Sequence, residues 1–183
     1  KIKILTLLLE YGAEVPFKRP KEISGDNASV WSAWKHSIDH FSSINFSPDI
    51  LIELPPTSPL RVSEDIDCCI EELVNHDCDA VISVTKSKKN PNFNMVKVDS
   101  KGITRLLIEN EISIIRRQDT QESFDITTVA YALRKNFLEN PNNTTIWDGI
   151  VRSIKIPEER SLDIDTEFDL HLASLIISDK HLG

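Results

Sequence analysis

Apolar positions recur along this chain with helical and strand-like spacings that alternate. Ile2, Leu5, Leu8 and Leu9 follow a helical period, and Gly12 stands where that helix would end. Glu14 to Phe17 reads as a short strand running into a loop with Arg19 and Pro20. Asp26 or Asn27 can cap a second helix, in which Val30, Trp34, Ile38 and Phe41 return every three to four residues. Asp49 to Leu54 is a compact apolar run of the kind found in a buried parallel strand. It stops at Pro55-Pro56, because proline cannot donate to a ladder.

Ser63 is a good N-cap, with Glu64 and Asp65 in the first turn where the helix dipole favours them. Ile66, Ile70, Leu73 and Val74 predict the inner face of that helix, and Ala80 to Val84 the next buried strand. From Met95 to about Arg117 the pattern changes to short strands and turns, including Asp99-Ser100-Lys101-Gly102. A last strand, Ile154 to Ile156, leads through Pro157 to a closing helix, Glu167 to Ile177. Strand and helix alternate through the first 85 residues and again at the end, which predicts an α/β sheet with parallel neighbours. The irregular stretch of about 88–135 reads as an inserted β-rich arm within a single domain spanning 1–183.

Composition narrows the function classes. The chain has 183 residues, 40% of them hydrophobic and 27% charged, enough apolar material for a packed core. Its formal net charge of -8 disfavours binding nucleic acid or anionic lipid across the surface, so an anionic substrate must be met by a few placed cations or a metal ion. Cys68, Cys69 and Cys78 form an odd set without a CxxC, which argues against a disulfide framework or a zinc site. No apolar run approaches the ~18 residues of a membrane span. The expectation is a soluble, cytoplasmic protein with neither nucleic acid nor membrane as partner. The chain begins at Lys1, inside an apolar periodic segment with no cap before it, and the protein is expected to extend further toward the N-terminus.

Several motifs are absent. The five glycines form no Walker loop, GxGxxG or GxSxG elbow, and the five histidines form no HExxH, although His36 and His40 share one helix face. Asp163-Ile164-Asp165 is the most informative acidic feature. On a strand both carboxylates would share one face, and such a pair suits Mg²⁺, which takes one or two carboxylates and completes its shell with phosphate and water. Thr166 to Asp169 fits a capping box instead, with Asp169 structural. Arg116-Arg117-Gln118-Asp119 follows apolar Ile112 to Ile115. At most one guanidinium there can enter a given cleft to clamp phosphate or carboxylate, and a surface pair satisfied by Asp119 or Glu122 is the alternative. Lys86, Lys88 and Lys89 form either a solvated loop or a ligand-facing one at a strand's carboxyl end. Leu54 to Arg61 carries three prolines, with the Thr57 and Ser58 hydroxyls placed to meet a polyol or phosphate.

In this order the segments resemble the acylneuraminate cytidylyltransferases, the CMP-sialic acid synthetase family. The landmarks are Tyr11 to Pro20, Asp26-Asn27-Ala28-Ser29, Pro56-Thr57-Ser58-Pro59-Leu60-Arg61, Asp79 to Val84, Arg116-Arg117-Gln118-Asp119, and Ile156 to Asp165. The resemblance implies a nucleotide-diphosphosugar-transferase-like fold, a mostly parallel sheet flanked by helices with a small dimerisation arm, and a homodimer. It implies an Mg²⁺-dependent transfer of CMP from CTP to a nonulosonic, sialic-acid-like sugar, with release of pyrophosphate, for surface glycan synthesis. By the same likeness Asp163 and Asp165 hold the metal and Arg117 is catalytic. Arg19 and Ser29 lie beside the nucleotide, and Thr57, Ser58 and Tyr131 lie near the sugar.

The chain departs from the family pattern in three places. The strand and glycine-rich phosphate loop that open family members have no counterpart in the sequence. Pro55 stands where sialate-specific members carry Gln, and Thr127-Thr128 where many carry Asn-Gly, which leaves room for a related nonulosonate. Two other readings therefore stay open. One is a catalytically inactive, truncated paralogue acting as a dimerisation or binding partner. The other is a transferase for another nucleotide or a KDO-like sugar.

Overall fold

The computed structural model describes residues 2–25, 28–109, 116 and 120–180. They divide into two compact units, one formed by Lys1–Leu51 and Leu133–Gly149, the other by Ile52–Ala132 and Ile150–Gly183.

The first unit opens with helix α1, Ile2–Glu10. It ends as its glycine requires: Gly12 has φ +81°, and the N–H groups of Tyr11, Gly12 and Ala13 close back on the last turn. The expected strand at Glu14 to Phe17 is not formed. Pro16 removes a ladder donor there, and Phe17 packs instead on the next helix, its ring 5.1 Å from His36 and 4.6 Å from His40. That helix, α2, spans Val30–Ser43 and is capped by Ser29, whose hydroxyl accepts the Trp31 N–H at 3.1 Å. Asp26 and Asn27, expected as caps, lie outside the described residues. Trp31, Trp34 and Ile38 form the buried face of α2, and Trp31 meets Phe137 of a short helix α4, Lys135–Glu139, edge to face at 5.4 Å.

The second unit is built on sheet and helix. Strand β1, Ile50–Glu53, straddles the boundary, and helix α3, Ser63–Asn75, follows it. Strand β2 is Ala80–Lys86. Strands β3, Val96–Val98, and β4, Thr104–Leu106, form an antiparallel hairpin. Its turn is the expected one. Asp99 Oδ1 accepts the N–H groups of Lys101 and Ile103, each at 2.9 Å, and Gly102 has φ +78°. Strands β5, Phe124–Arg134, and β6, Val151–Lys155, and helix α5, Glu167–Lys180, complete the chain.

The main sheet has the order β1-β5-β2-β6. Strands β2 and β6 run parallel, with Ala80 opposite Val151 and Val84 opposite Lys155. Strand β5 runs against its neighbours. Ser87 N–H donates to Ser123 O and Ser83 Oγ to Thr127 O, while at the other end Lys135 N–H donates to Asp49 O. The sheet is therefore mixed, with the expected parallel neighbours at β2 and β6, and the α/β class read from the sequence holds. The inserted arm is also shorter than 88–135: residues 124–134 are a central strand, with Val129, Ala130, Ala132 and Leu133 buried. The inner face of α3 is Asp65, Cys69 and Leu73 rather than one including Val74, which is exposed.

A polar pair lies inside this sheet. Ser83 is fully buried and its hydroxyl makes three bonds: it donates to Thr127 O at 3.1 Å and accepts from Thr127 Oγ1 at 2.7 Å and Ala130 N–H at 3.1 Å. A buried hydroxyl so satisfied is tolerated where an unpaired one would not be. Ser83→Ala strands the Ala130 N–H and the Thr127 hydroxyl, and is expected to lower urea-unfolding stability by about 1–3 kcal/mol.

Candidate active site

Three prolines in the connection between β1 and α3 leave it short of backbone donors. Side chains tie it down instead. Arg61 Nε donates to Ser58 O at 3.0 Å, and its terminal nitrogen donates to Pro55 O and, at 3.4 Å, to Thr128 O. Ser58 is only 2% exposed, and its hydroxyl lies 2.6 Å from Thr128 Oγ1. The loop is thus clamped onto β5. Ser58, expected beside the sugar, is buried here with its hydroxyl engaged by Thr128, so it helps to pin the loop. Burial pulls the Arg61 guanidinium below its ordinary value, and Glu53 opposes that shift. Thr57 is half-buried, and its carbonyl accepts Ile164 N–H at 2.9 Å.

That last bond joins the loop to the acidic segment. Asp163-Ile164-Asp165 is not a strand, which corrects the sequence expectation: it follows a 3₁₀ turn, Glu158–Arg160, and makes no ladder. The two carboxylates therefore do not share a pleated face. Asp163 is half-buried, and its Oδ1 is enclosed without a hydrogen-bond partner among the described residues. Asp165 is exposed, and its N–H donates to Asp169 Oδ2 at 3.2 Å. Asp169 also accepts from the Thr166 N–H at 2.8 Å, while Thr166 Oγ1 accepts the Asp169 N–H at 3.2 Å. This is the reciprocal cap expected at the start of α5, and it leaves Asp169 structural.

Upstream, Arg160 grips Asp65 with two prongs, Nε to Oδ2 at 3.1 Å and a terminal nitrogen to Oδ1 at 2.7 Å. Asp65 is 4% exposed and also accepts Val62 N–H at 3.1 Å. Asp65 therefore caps α3, and Ser63 is that helix's first residue rather than its N-cap.

Tyr131 on β5 completes the cluster. Burial pushes its phenol up, and the charges of Asp163 and then Glu53 push it further the same way. The register that sets Asp49 beside Lys135 brings Glu53 level with Tyr131. Thr57, Glu53, Tyr131 and Asp163 thus come from three chain segments into one neighbourhood. A cleft of about 620 Å³ also reaches Asp163, lined by Lys88, Glu158, Leu172 and Ile176 among others.

The remaining expected residues lie elsewhere. Arg19, exposed, and Ser29, the cap of α2, belong to the first unit. Arg117, Gln118 and Asp119 lie outside the described residues. In the basic loop, Lys86 pairs with Glu122 at 2.7 Å and Lys88 with Glu158, both at exposed positions, as a solvated loop would have them. Among the described residues no group of three or more His, Cys, Asp or Glu side chains could enclose a metal ion. Mg²⁺ takes one or two carboxylates and completes its shell with phosphate and water, and the orphaned Asp163 oxygen is compatible with such a ligand. Sequence reading passed over Glu53, Arg61 and Arg160 as site-building residues, because their partners are distant in the chain or are backbone carbonyls.

Three likenesses bear on this site. The chain is 27% identical over 185 residues to the CMP-N,N'-diacetyllegionaminic acid synthase of Campylobacter jejuni, covering 99% of this chain and 75% of that protein. It is 26% identical over 178 residues to an N-acylneuraminate cytidylyltransferase of Streptococcus agalactiae, covering 94% of this chain and 40% of that one. Nearly the whole chain is therefore similar to proteins named as a CMP-legionaminic acid synthase and an N-acylneuraminate cytidylyltransferase. Its fold agrees: a solved CMP:2-keto-3-deoxy-manno-octonic acid synthetase, complexed with CTP, superposes with a TM-score of 0.64 at 12% identity, covering 98% of this chain and 78% of that one. No protein-family model matches. In this chain the proline-rich landmark is the Arg61-clamped loop, and the acidic landmark is the segment bonded to that loop through Ile164 N–H and Thr57 O. No helix among the described residues is long and apolar enough to cross a membrane.

The chain has two tyrosines, so Tyr11→Phe leaves Tyr131 as the single phenol. Tyrosinate absorbance in that variant is expected to titrate above the usual phenol value of about 10. Adding Asp163→Asn should bring the midpoint down, because a like charge that opposes the phenolate has gone.

Proposed function

We propose that this protein transfers CMP from CTP to a nonulosonic, sialic-acid-like sugar and releases pyrophosphate, in the service of surface glycan synthesis. The observation that carries the reading is Asp163. A half-buried carboxylate with an orphaned oxygen stands beside Tyr131 and Glu53 in a chain whose relatives are named as cytidylyltransferases across nearly its whole length. The sugar's anomeric oxygen attacks the α-phosphorus in line, the bond to the bridging oxygen of the pyrophosphate breaks, and the hydroxyl proton passes to a base. Magnesium, when bound, neutralises triphosphate charge and lowers the pKa of a nearby hydroxyl.

The residues divide the task. Asp163 and Asp165 hold the metal. Thr57 and Tyr131 border the sugar, Tyr131 as a neutral phenol able to donate a hydrogen bond. Arg19 and Ser29 stand by the nucleotide, and Arg117 serves as the cation that meets charge developing on phosphate. Acidic surroundings at Asp163 suit a cation-bridged triphosphate better than a bare one.

We further propose a homodimer. Val96 and Val98 on β3, with Ile103, Leu107 and Ile108 beyond it, stand at 41–63% exposure, an apolar surface that a second copy would cover. The enzyme acts in the cytoplasm, where CTP is made. The inactive-paralogue reading is less favoured, since the relatives that match nearly the whole chain are named as enzymes.

With full-length protein, pyrophosphate release from CTP is expected only when Mg²⁺ and a nonulosonate are both present. Asp163→Asn and Arg117→Ala should each cut the rate by on the order of 10²-fold; unchanged rates in both would refute the assignment. Val98→Asp, a change at a 63% exposed position, is expected to shift the sedimentation coefficient from dimer to monomer while leaving the circular dichroism spectrum intact.

A further inference from the structure

We propose that Arg160 is a positioning residue for the acidic segment. Its two-pronged grip on buried Asp65, with the Ile164 N–H bonded to Thr57 O, holds Asp163 at its place against the β1–α3 connection. The inference rests on the reading of Asp163 as a metal ligand.

The segment needs such a device because no ladder holds it. Its ties are few. Lys88 and Glu158 pair at its start, but both side chains are largely exposed and such a pair contributes little. Thr166 and Asp169 close its far end and belong to the start of α5. Between them, among the described residues, Ser161 and the Arg160 N–H bond carbonyls within their own turn, and the ties to other elements are the Arg160 fork and the Ile164 N–H on Thr57 O.

The fork has the geometry of a fixed joint. Asp65 Oδ2 takes the Val62 N–H as well as Arg160 Nε, so the carboxylate cannot swing with the guanidinium. Two parallel N–H···O bonds fix direction as well as distance, which a lysine ammonium cannot do. Arg160 is three residues from Asp163, close enough for its direction to set the path of the intervening backbone. Asp65 and Thr57 both belong to the β1–α3 connection and α3's first turn, so the two ties refer the segment to one support. A ligand whose supporting partner is lost typically binds metal more weakly.

The test is amide hydrogen exchange on the full-length, metal-free protein. In Arg160→Gln the Ile164 amide is expected to exchange at least about tenfold faster, while the amides of the β2–β6 ladder keep their rates. Arg160→Lys should give most of the same acceleration, because it keeps the charge and loses the fork. Arg152→Gln is the control. It breaks the Arg152–Glu72 ion pair, which joins β6 to α3 away from the segment, and should leave Ile164 unaltered. As a second readout, Mn²⁺ binding followed by electron paramagnetic resonance should weaken about tenfold in Arg160→Gln and not in Arg152→Gln. Unchanged Ile164 exchange, equal acceleration of the ladder, or the same result in both variants overturns the role of Arg160. A wild-type protein that binds no Mn²⁺ overturns the metal reading instead, and the exchange data separate these failures.

Discussion

A loop with three prolines has too few donors to hold itself, and Arg61 supplies what is missing. Its guanidinium meets three backbone carbonyls, two within the loop and one on β5, and so turns a flexible connection into part of the sheet. Even a half-buried cation is costly to desolvate unless its donors are used and an anion stands near. Here the donors are used and Glu53 is the anion. Remove that arrangement and the Thr57 carbonyl no longer has a defined position, nor does anything bonded to it.

The site is therefore assembled by relay. Strand β5 supplies Tyr131, β1 supplies Glu53, the clamped loop supplies Thr57, and the acidic segment is brought up last by side-chain and backbone bonds to the others. Regular structure provides rigid elements, but the groups of chemical interest sit where regular structure ends, as in open α/β sheets generally.

The alternation of helix and strand was legible because it depends on local spacing. Helices α1, α3 and α5, strand β2 and the Asp99 turn lie where their patterns put them, while β6, expected at Ile154 to Ile156, begins three residues earlier at Val151. Strand β5 was not legible, because Thr127 and Thr128 interrupt its apolar run with hydroxyls whose partners, Ser83 and Ser58, lie 44 and 70 residues away. The same limit applies to Arg160, whose partner is 95 residues distant. Sequence spacing placed Asp163 and Asp165 on one face of a strand, since period two in a short stretch cannot distinguish a ladder from an extended segment tied by single bonds. Ser58 looked like a free hydroxyl for the reason that Thr128 was hidden. The Thr166–Asp169 cap was readable, because both partners lie within four residues.

The three thiols differ sharply in environment. Burial pushes Cys69 up to about 12, Cys78 is enclosed, and Cys68 faces solvent on α3, one turn after Asp65. Thiolate is the reactive form, so an alkylating reagent will choose Cys68 first. Nature has thereby left a single addressable handle near the joint with Arg160, and a dye or spin label placed there would watch that corner of the molecule with no engineered cysteine.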